Sequence, residues 1–314
     1  VKLFWASHDR AATRKAHENP AATGRIALLV LASQASEVLE QLAELFSDAR
    51  FKIYVHLDLK CDAGKYSAGR RWPSNLRFIR QRFEIFWGGF NMVRATEALA
   101  NTALQDESCR AAILLSDDSL PLLPPSEIHT AIHMQPDRID VGLARLDPPF
   151  LRRYEEFFFM DSAPTSARYI DVENRVIDDG VLDTLARLAQ LREDGKYRPR
   201  EVWSGSQWWS FSREALTAAI TELMRNRWVR ESFEFSAVPD ESVFHTLHAN
   251  RLGLQAQSLT GPMLTDFTRQ PAPYMFSTLS EVGEIPEGKL FLRKVAPSAA
   301  GAMRTELEER WRDV

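Results

Sequence analysis

A carboxylate at the start of a helix can serve two purposes, and Glu241 in the segment Pro239-Asp240-Glu241 is open to both. The apolar spacing from there to about Leu247 predicts a helix, with Asp240 as its N-cap. An acid in that first turn complements the positive end of the helix macrodipole. The same field keeps a carboxylate ionised, which is the state a general base needs. Helical spacing also aligns Glu241 with His245 and His248, an i, i+4, i+7 set of residue types that bind metals. The order differs from His-Glu-x-x-His, so packing on the helix face competes with a metal for the two histidines.

Three further clusters carry chemical potential. The tract Trp203-Ser-Gly-Ser-Gln-Trp-Trp209 joins aromatic faces to small polar groups, a combination that suits sugar rings and equally suits a buried strand. Ser116-Asp117-Asp118-Ser119 follows an apolar run and offers an adjacent carboxylate pair. On an extended strand those two side chains point to opposite faces, which disfavours one shared metal. Arg269 and the pair Arg293-Lys294 are late cations. Such residues are ordinarily solvated, and they acquire a role only where a developing negative charge must be neutralised.

The elements that would position these groups alternate. Arg25 to Ala32 is a continuous apolar run, as in a strand buried on both faces. Ser36 to Ser47 has helical spacing, with Ser36 as N-cap. Phe51 to Asp58 reads as a strand, Leu76 to Arg80 as a short strand, Met92 to Leu104 as a helix and Ala111 to Leu115 as a strand. This rhythm predicts an open α/β sheet, which binds ligands at the carboxyl ends of its strands. Attention therefore falls on Ser33, Asp58 and Ser116 to Ser119. The later chain predicts helices over Val181–Arg192, Arg213–Arg225 and Met303–Trp311, with a strand or turn over Lys289–Val295. No Gly/Ser/Pro-rich linker separates the halves, so one domain is expected.

Bulk properties exclude more than they name. Among 314 residues, 39 Lys+Arg nearly balance 43 Asp+Glu, which argues against a nucleic-acid-coating protein. Two cysteines, Cys61 and Cys109, cannot make a disulfide scaffold. No apolar run approaches the ~20 residues of a membrane helix, and Val1 to Arg25 lacks the apolar core of a signal peptide. Gly-x-Gly-x-x-Gly, a Gly-Lys-Ser/Thr phosphate loop and paired Cys-x-x-Cys are absent.

Several segments together resemble one family. They are Ile53-Tyr-Val-His-Leu-Asp58, Phe86-Trp-Gly-Gly-Phe-Asn-Met-Val-Arg-Ala95, Leu114-Leu-Ser-Asp-Asp-Ser-Leu-Pro-Leu122, Ser204-Gly-Ser-Gln-Trp-Trp209, Pro239-Asp-Glu241, Asp266-Phe-Thr-Arg269 and Leu290-Phe-Leu-Arg-Lys294. Each is short, but their order along the chain resembles the core-2/I-branching β-1,6-N-acetylglucosaminyltransferases, glycosyltransferase family 14. That resemblance implies a GT-A type α/β fold, a Rossmann-like mixed sheet flanked by helices. It implies one catalytic domain over 25–295, with a nucleotide-binding half at 25–125 and an acceptor-binding half at 126–295, an N-terminal arm at 1–24 and a C-terminal helix at 296–314. It further implies inverting transfer from a UDP-sugar, most often UDP-GlcNAc, to a saccharide hydroxyl.

The resemblance makes Glu241 the general base. It assigns Ser33, Asp58, Trp87, Ser116, Asp117, Arg269, Arg293 and Lys294 to the donor, and Arg152, Arg153, Ser206, Gln207, Trp208, Trp209 and Asp240 to the acceptor. Enzymes with this sheet often hold a divalent metal with Asp-x-Asp after the fourth strand. The pattern is missing here, and the resemblance implies transfer without a metal or other cofactor, Arg269 and Lys294 neutralising the diphosphate. Ser33 replaces the family's histidine after the first strand, which leaves its inherited role open. The cysteine count and absence of an anchor point to a bacterial, cytoplasmic type with no nucleic-acid partner and no membrane span. Xylosyl- and glucuronosyltransferases share these motifs, and a non-catalytic saccharide- or nucleotide-binding protein on the same fold is the alternative of another class.

Overall fold

The computed structural model describes residues 24–33, 36–64, 70–140, 202–252 and 261–312, the backbone of 142–143, and isolated positions between 153 and 194. Its centre is β1 (Arg25–Ala32), in which every residue after Arg25 is buried. A strand apolar on both faces must lie between two layers. β1 pairs in parallel with β2 (Phe51–Leu57) on one side and with β4 (Cys109–Ser116) on the other. The short β3 (Leu76–Phe78) extends the sheet beyond β2, and β8 (Ser210–Ser212) closes the other edge antiparallel to β4, giving the order β3-β2-β1-β4-β8. This is the mixed sheet flanked by helices expected of a GT-A type chain.

Strand order fixes where a ligand can bind. From β1 the chain moves outward to β2 and β3 through α1 (Glu37–Leu45), then returns to the opposite side of β1 through α2 (Asn91–Leu104). Right-handed crossovers in opposite directions place those helices on opposite faces. The carboxyl ends of β1 and β4 thereby become the switch point where a crevice opens. The hydroxyl of Ser36 caps α1, accepting the Val38 N–H at 3.1 Å, and donates to the Asp117 carbonyl at 2.8 Å across that crevice.

Two small sheets complete the site. β5 (Leu120–Pro121) and β9 (Met263–Thr265) flank β10 (Phe291–Arg293), which carries Arg293 to the end of β4. β6 (Gly142–Leu143) and β7 (Trp203–Ser204) form a two-stranded ribbon. α3 (Pro125–Met134) starts with Pro at its first position, and α5 (Arg227–Glu234) follows α4 (Arg213–Arg225) after one residue. Neither α3 nor α5 is anticipated from apolar spacing. α7 (Ala300–Arg312) packs on α1. The expected helix over Val181–Arg192 falls mostly outside the described residues, as does the expected arm 1–24 apart from Gly24.

The helix expected to begin at Asp240 needs correction. Pro239–Glu241 is a separate 3-10 turn, and α6 (Val243–Leu252) starts only after Ser242, whose φ of −139° breaks the helical path. Asp240 is therefore inside a turn rather than an N-cap.

Arg213 ties the edges of this architecture together. Its guanidinium donates to the carbonyls of Leu104 at 2.6 Å, Asp106 at 2.9 Å and Cys109 at 3.1 Å, the exit of α2 and the entry of β4. Arg213→Met keeps the apolar stem and removes this fork. Unfolding in urea is expected to show a loss of about 2 kcal/mol; a change within about 0.5 kcal/mol, as for an ordinary surface substitution, would show that the bonds add nothing net.

Candidate active site

A cavity of about 1020 Å³ opens at the predicted switch point. One wall is the strand ends of the main sheet: Ser33 after β1, His56 and Asp58 at the end of β2, and Ser116, Asp117 and Asp118 at the end of β4. Asp58 is buried, and its carboxylate accepts the Lys60 backbone N–H at 2.9 Å and its ammonium at 2.7 Å. The Asp117 carboxylate accepts the Ser33 N–H at 3.0 Å, so it stitches the tip of β1 to that of β4. His56 accepts the Phe83 N–H on Nε2 at 2.9 Å, and burial pushes the ring down to about 4, leaving it neutral.

Arg293 reaches the same wall from β10. Its Nε lies 3.1 Å from the Ser116 hydroxyl and 3.2 Å from Asp118, with a second nitrogen 3.3 Å from the other Asp118 oxygen. Its guanidinium sits 4.7 Å from the centre of the Trp208 ring. Lys294 lines the cavity beside it. Asp117 and Asp118 lie in the turn after β4 rather than on the strand, so strand alternation does not separate them: both line the cavity, Asp117 bonding the Ser33 N–H and Asp118 holding Arg293.

Glu241 lines the same cavity. Three backbone hydrogen bonds hold its turn. The Ala237 N–H donates to the Arg153 carbonyl at 2.8 Å, and the Val238 N–H donates to the Gly88 carbonyl at 2.9 Å. Gly205 N–H donates to the Glu241 carbonyl at 3.0 Å. Val238 itself adopts the left-handed conformation at φ 53°, which is costly for a β-branched residue and doubly so ahead of proline. Gly88, whose carbonyl accepts the Val238 N–H, is at φ 79°, a conformation that favours glycine. A strained residue beside a candidate site is where such conformations concentrate.

Glu241 is half-buried, and burial raises its carboxyl above the ordinary range. Arg153 opposes that rise through its charge and a 3.0 Å hydrogen bond to Oε2. Asp240 is 93 % buried by the complement of its 7 % exposure; burial first, and the neighbouring Glu241 second, push its carboxyl up to about 7. Burial thus raises both adjacent carboxyls; the Arg153 charge opposes the rise at both, and at Glu241 a hydrogen bond adds to it.

The expected residues divide on this geometry. Ser33, Asp58, Trp87, Ser116, Asp117, Ser206, Gln207, Trp208, Asp240, Glu241, Arg293 and Lys294 all line the cavity. Arg269 does not. Its guanidinium stacks 3.8 Å from the Tyr274 ring centre, pairs with Asp266 at 2.5 Å and donates to the Glu281 carbonyl at 3.0 Å. Trp209 is fully buried against Phe211 and Phe244, just ahead of β8, whereas Trp208 lines the cavity. The tract is thus one cavity-facing indole and one core indole, not an open platform. Arg153 meets Glu241 rather than the cavity wall, and Arg152 lies outside the described residues.

The metal alternative also changes. Glu241 precedes α6, so it does not share a helical face with His245 and His248. Both rings are buried and burial lowers both, His245 to about 4. No group of three metal-ligating side chains occurs among the described residues. No helix among them is long and apolar enough to cross a membrane.

Residues given no role in the sequence expectations also line the cavity: His56, Val238, Thr265 and the 66 %-exposed Phe267. His56 and Phe267 stand within the segments quoted above. Asp118, singled out there as half of a carboxylate pair, instead holds Arg293, which only the docking of β10 on β4 reveals.

Comparison with known proteins agrees with this architecture. No curated protein matches the chain. The model of the Core-2/I-Branching enzyme family matches residues 26–268, from the first strand through the Pro239–Glu241 turn to the loop after β9. A match over most of the chain, with the sheet and cavity just described, makes this protein a member of the core-2/I-branching enzyme family of glycosyltransferases.

Proposed function

We propose that the protein transfers a sugar from a UDP-sugar to a saccharide hydroxyl by single displacement with inversion, Glu241 acting as general base and no divalent metal taking part. UDP-GlcNAc is the favoured donor. The observation that carries this reading is that Glu241 and the Arg293–Lys294 pair, brought from different elements, line one cavity.

In the reaction, the acceptor oxygen bonds to the anomeric carbon as its proton passes to a Glu241 carboxylate oxygen. The bond from that carbon to the diphosphate oxygen breaks, and its electron pair leaves with UDP. Attack from the far side converts an α-linked donor into a β-linked product. Arg293 supports charge neutralisation because Asp118 and Ser116 preorganise its guanidinium, so little reorganisation is needed as charge develops. Lys294 stands next to it as a second cation. Asp240, Ser206, Gln207 and Trp208 are the acceptor side, where a carboxyl, amide, hydroxyl and indole can meet sugar hydroxyls and C–H faces. Arg269 joins the diphosphate only if its pairing with Asp266 is exchanged.

The direct test is UDP release from UDP-GlcNAc, UDP-Xyl, UDP-GlcA and UDP-Gal with a set of glycan acceptors; no release from any of them defeats the reading. Glu241→Gln is expected to lower turnover by about 10²–10⁴ with UDP affinity retained. Full activity of that variant removes Glu241 as the base. The pH profile supplies a second check. A base works ionised, so activity falls on the acid side as Glu241 protonates. Arg153 favours the ionised form, so Arg153→Met raises the Glu241 pKa and moves the acid limb of kcat/KM to higher pH. An unmoved limb contradicts the pairing; a limb displaced to lower pH contradicts its sign.

A further inference from the structure

His245 remains without a use in the reading above, yet it is fully buried four residues after the base. Its Nε2 lies 2.9 Å from the Ser206 carbonyl oxygen. A carbonyl only accepts, so Nε2 carries the hydrogen and donates it. Nδ1 is then a bare acceptor, and it has no hydrogen-bond partner among the described residues. A phenylalanine would fill the same space without stranding a nitrogen. What the imidazole adds is the bond to Ser206.

That bond is part of a grip on one turn. Gly205, Ser206 and Gln207 connect β7 to Trp208 and line the cavity. Below them, Thr246 accepts the Trp203 N–H at 3.0 Å and returns its hydroxyl to the Trp203 carbonyl at 3.2 Å. The Glu241 carbonyl holds the Gly205 N–H. A Cβ on Gly205 would stand 1.7 Å from the Asp140 carbonyl oxygen and 3.2 Å from His245 Cδ2, so the turn is threaded between those two neighbours. Glu241, His245 and Thr246 thus hold the turn from the segment that also presents the base.

We propose that His245 is a positioning residue for the acceptor: its Nε2–H fixes the Ser206 carbonyl and so sets where Ser206 and Gln207 stand relative to Glu241. The proposal rests on the reading of that side of the cavity as the acceptor side. His245 bonds none of β1, β2, β4 and β10, which carry the donor-side residues. Trp208, whose ring lies 4.7 Å from Arg293, is held separately, because the next residue's carbonyl accepts the Leu114 N–H of β4 at 2.8 Å.

The test compares His245→Phe, which keeps ring volume and loses the N–H, with His245→Gln, whose amide nitrogen can reach the same carbonyl. Steady-state kinetics with donor and acceptor varied separately, and hydrogen exchange of the 205–207 amides, are read on the full chain. His245→Phe is expected to raise acceptor KM at least about tenfold, to leave donor KM and UDP Kd within about twofold, and to speed exchange at 205–207. His245→Gln is expected to recover most of the acceptor KM and the exchange protection. Equal losses in both variants, a donor KM that rises with the acceptor KM, or a wild-type acceptor KM in His245→Phe overturns the positioning role while wild-type transfer stands. A wild-type protein that transfers no sugar overturns the functional reading, and this proposal with it.

Discussion

The site depends on one ion pair, between Arg293 at the end of β10 and Asp118 just past β4. Both side chains are largely withdrawn from solvent, 14 % and 24 % exposed. Isolated, neither charge would tolerate that position, and as a pair they contribute little net stability. What the pair enforces is geometry. It pins the three-stranded sheet to the carboxyl end of the five-stranded one and leaves a guanidinium facing the cavity, backed by the Trp208 ring. The Val295 N–H reinforces the junction by donating to the Asp118 carbonyl at 2.9 Å. A cation held in this way is ready for an anionic leaving group before one arrives.

The Glu241 turn answers to a different kind of constraint. Glu241 is presented by a short turn whose conformation its own sequence disfavours: Val238 is left-handed ahead of a proline. Such a conformation survives because its neighbours over-determine it. Gly88 comes from the loop before α2, Arg153 from between β6 and β7, and Gly205 from the turn after β7. Glu241 is thus positioned by three parts of the chain remote in sequence, two of which also line the cavity.

These two kinds of constraint explain what the sequence made legible. The central strands were readable because β1 after Arg25 and β4 after Arg110 are buried on both faces and are apolar along Ile26–Ala32 and Ala111–Leu115. The switch-point crevice followed from their order. Chemistry at strand ends, including Asp58 and Asp117, was readable for the same reason. Features set by contacts distant in sequence were not. Arg269 looks like a free cation until Asp266, Tyr274 and Glu281 are placed around it. Trp208 and Trp209 look alike until the fold places one at the cavity and one in the core. Glu241, His245 and His248 share a helical spacing that the break at Ser242 removes. Arg153, expected on the acceptor, pairs with Glu241 because Ala237 holds its backbone there.

On this account the chain's own cations, with Arg293 held by Asp118, take the part that a divalent metal plays in other sugar-transferring enzymes of similar sheet. The most direct measurement is the rate of UDP-sugar turnover by the purified protein in excess EDTA and again with added Mn²⁺. The account predicts the same rate, within about twofold, in both conditions. Loss of transfer in EDTA that Mn²⁺ restores would contradict it and would return Asp117 and Asp118 to the role of metal ligands.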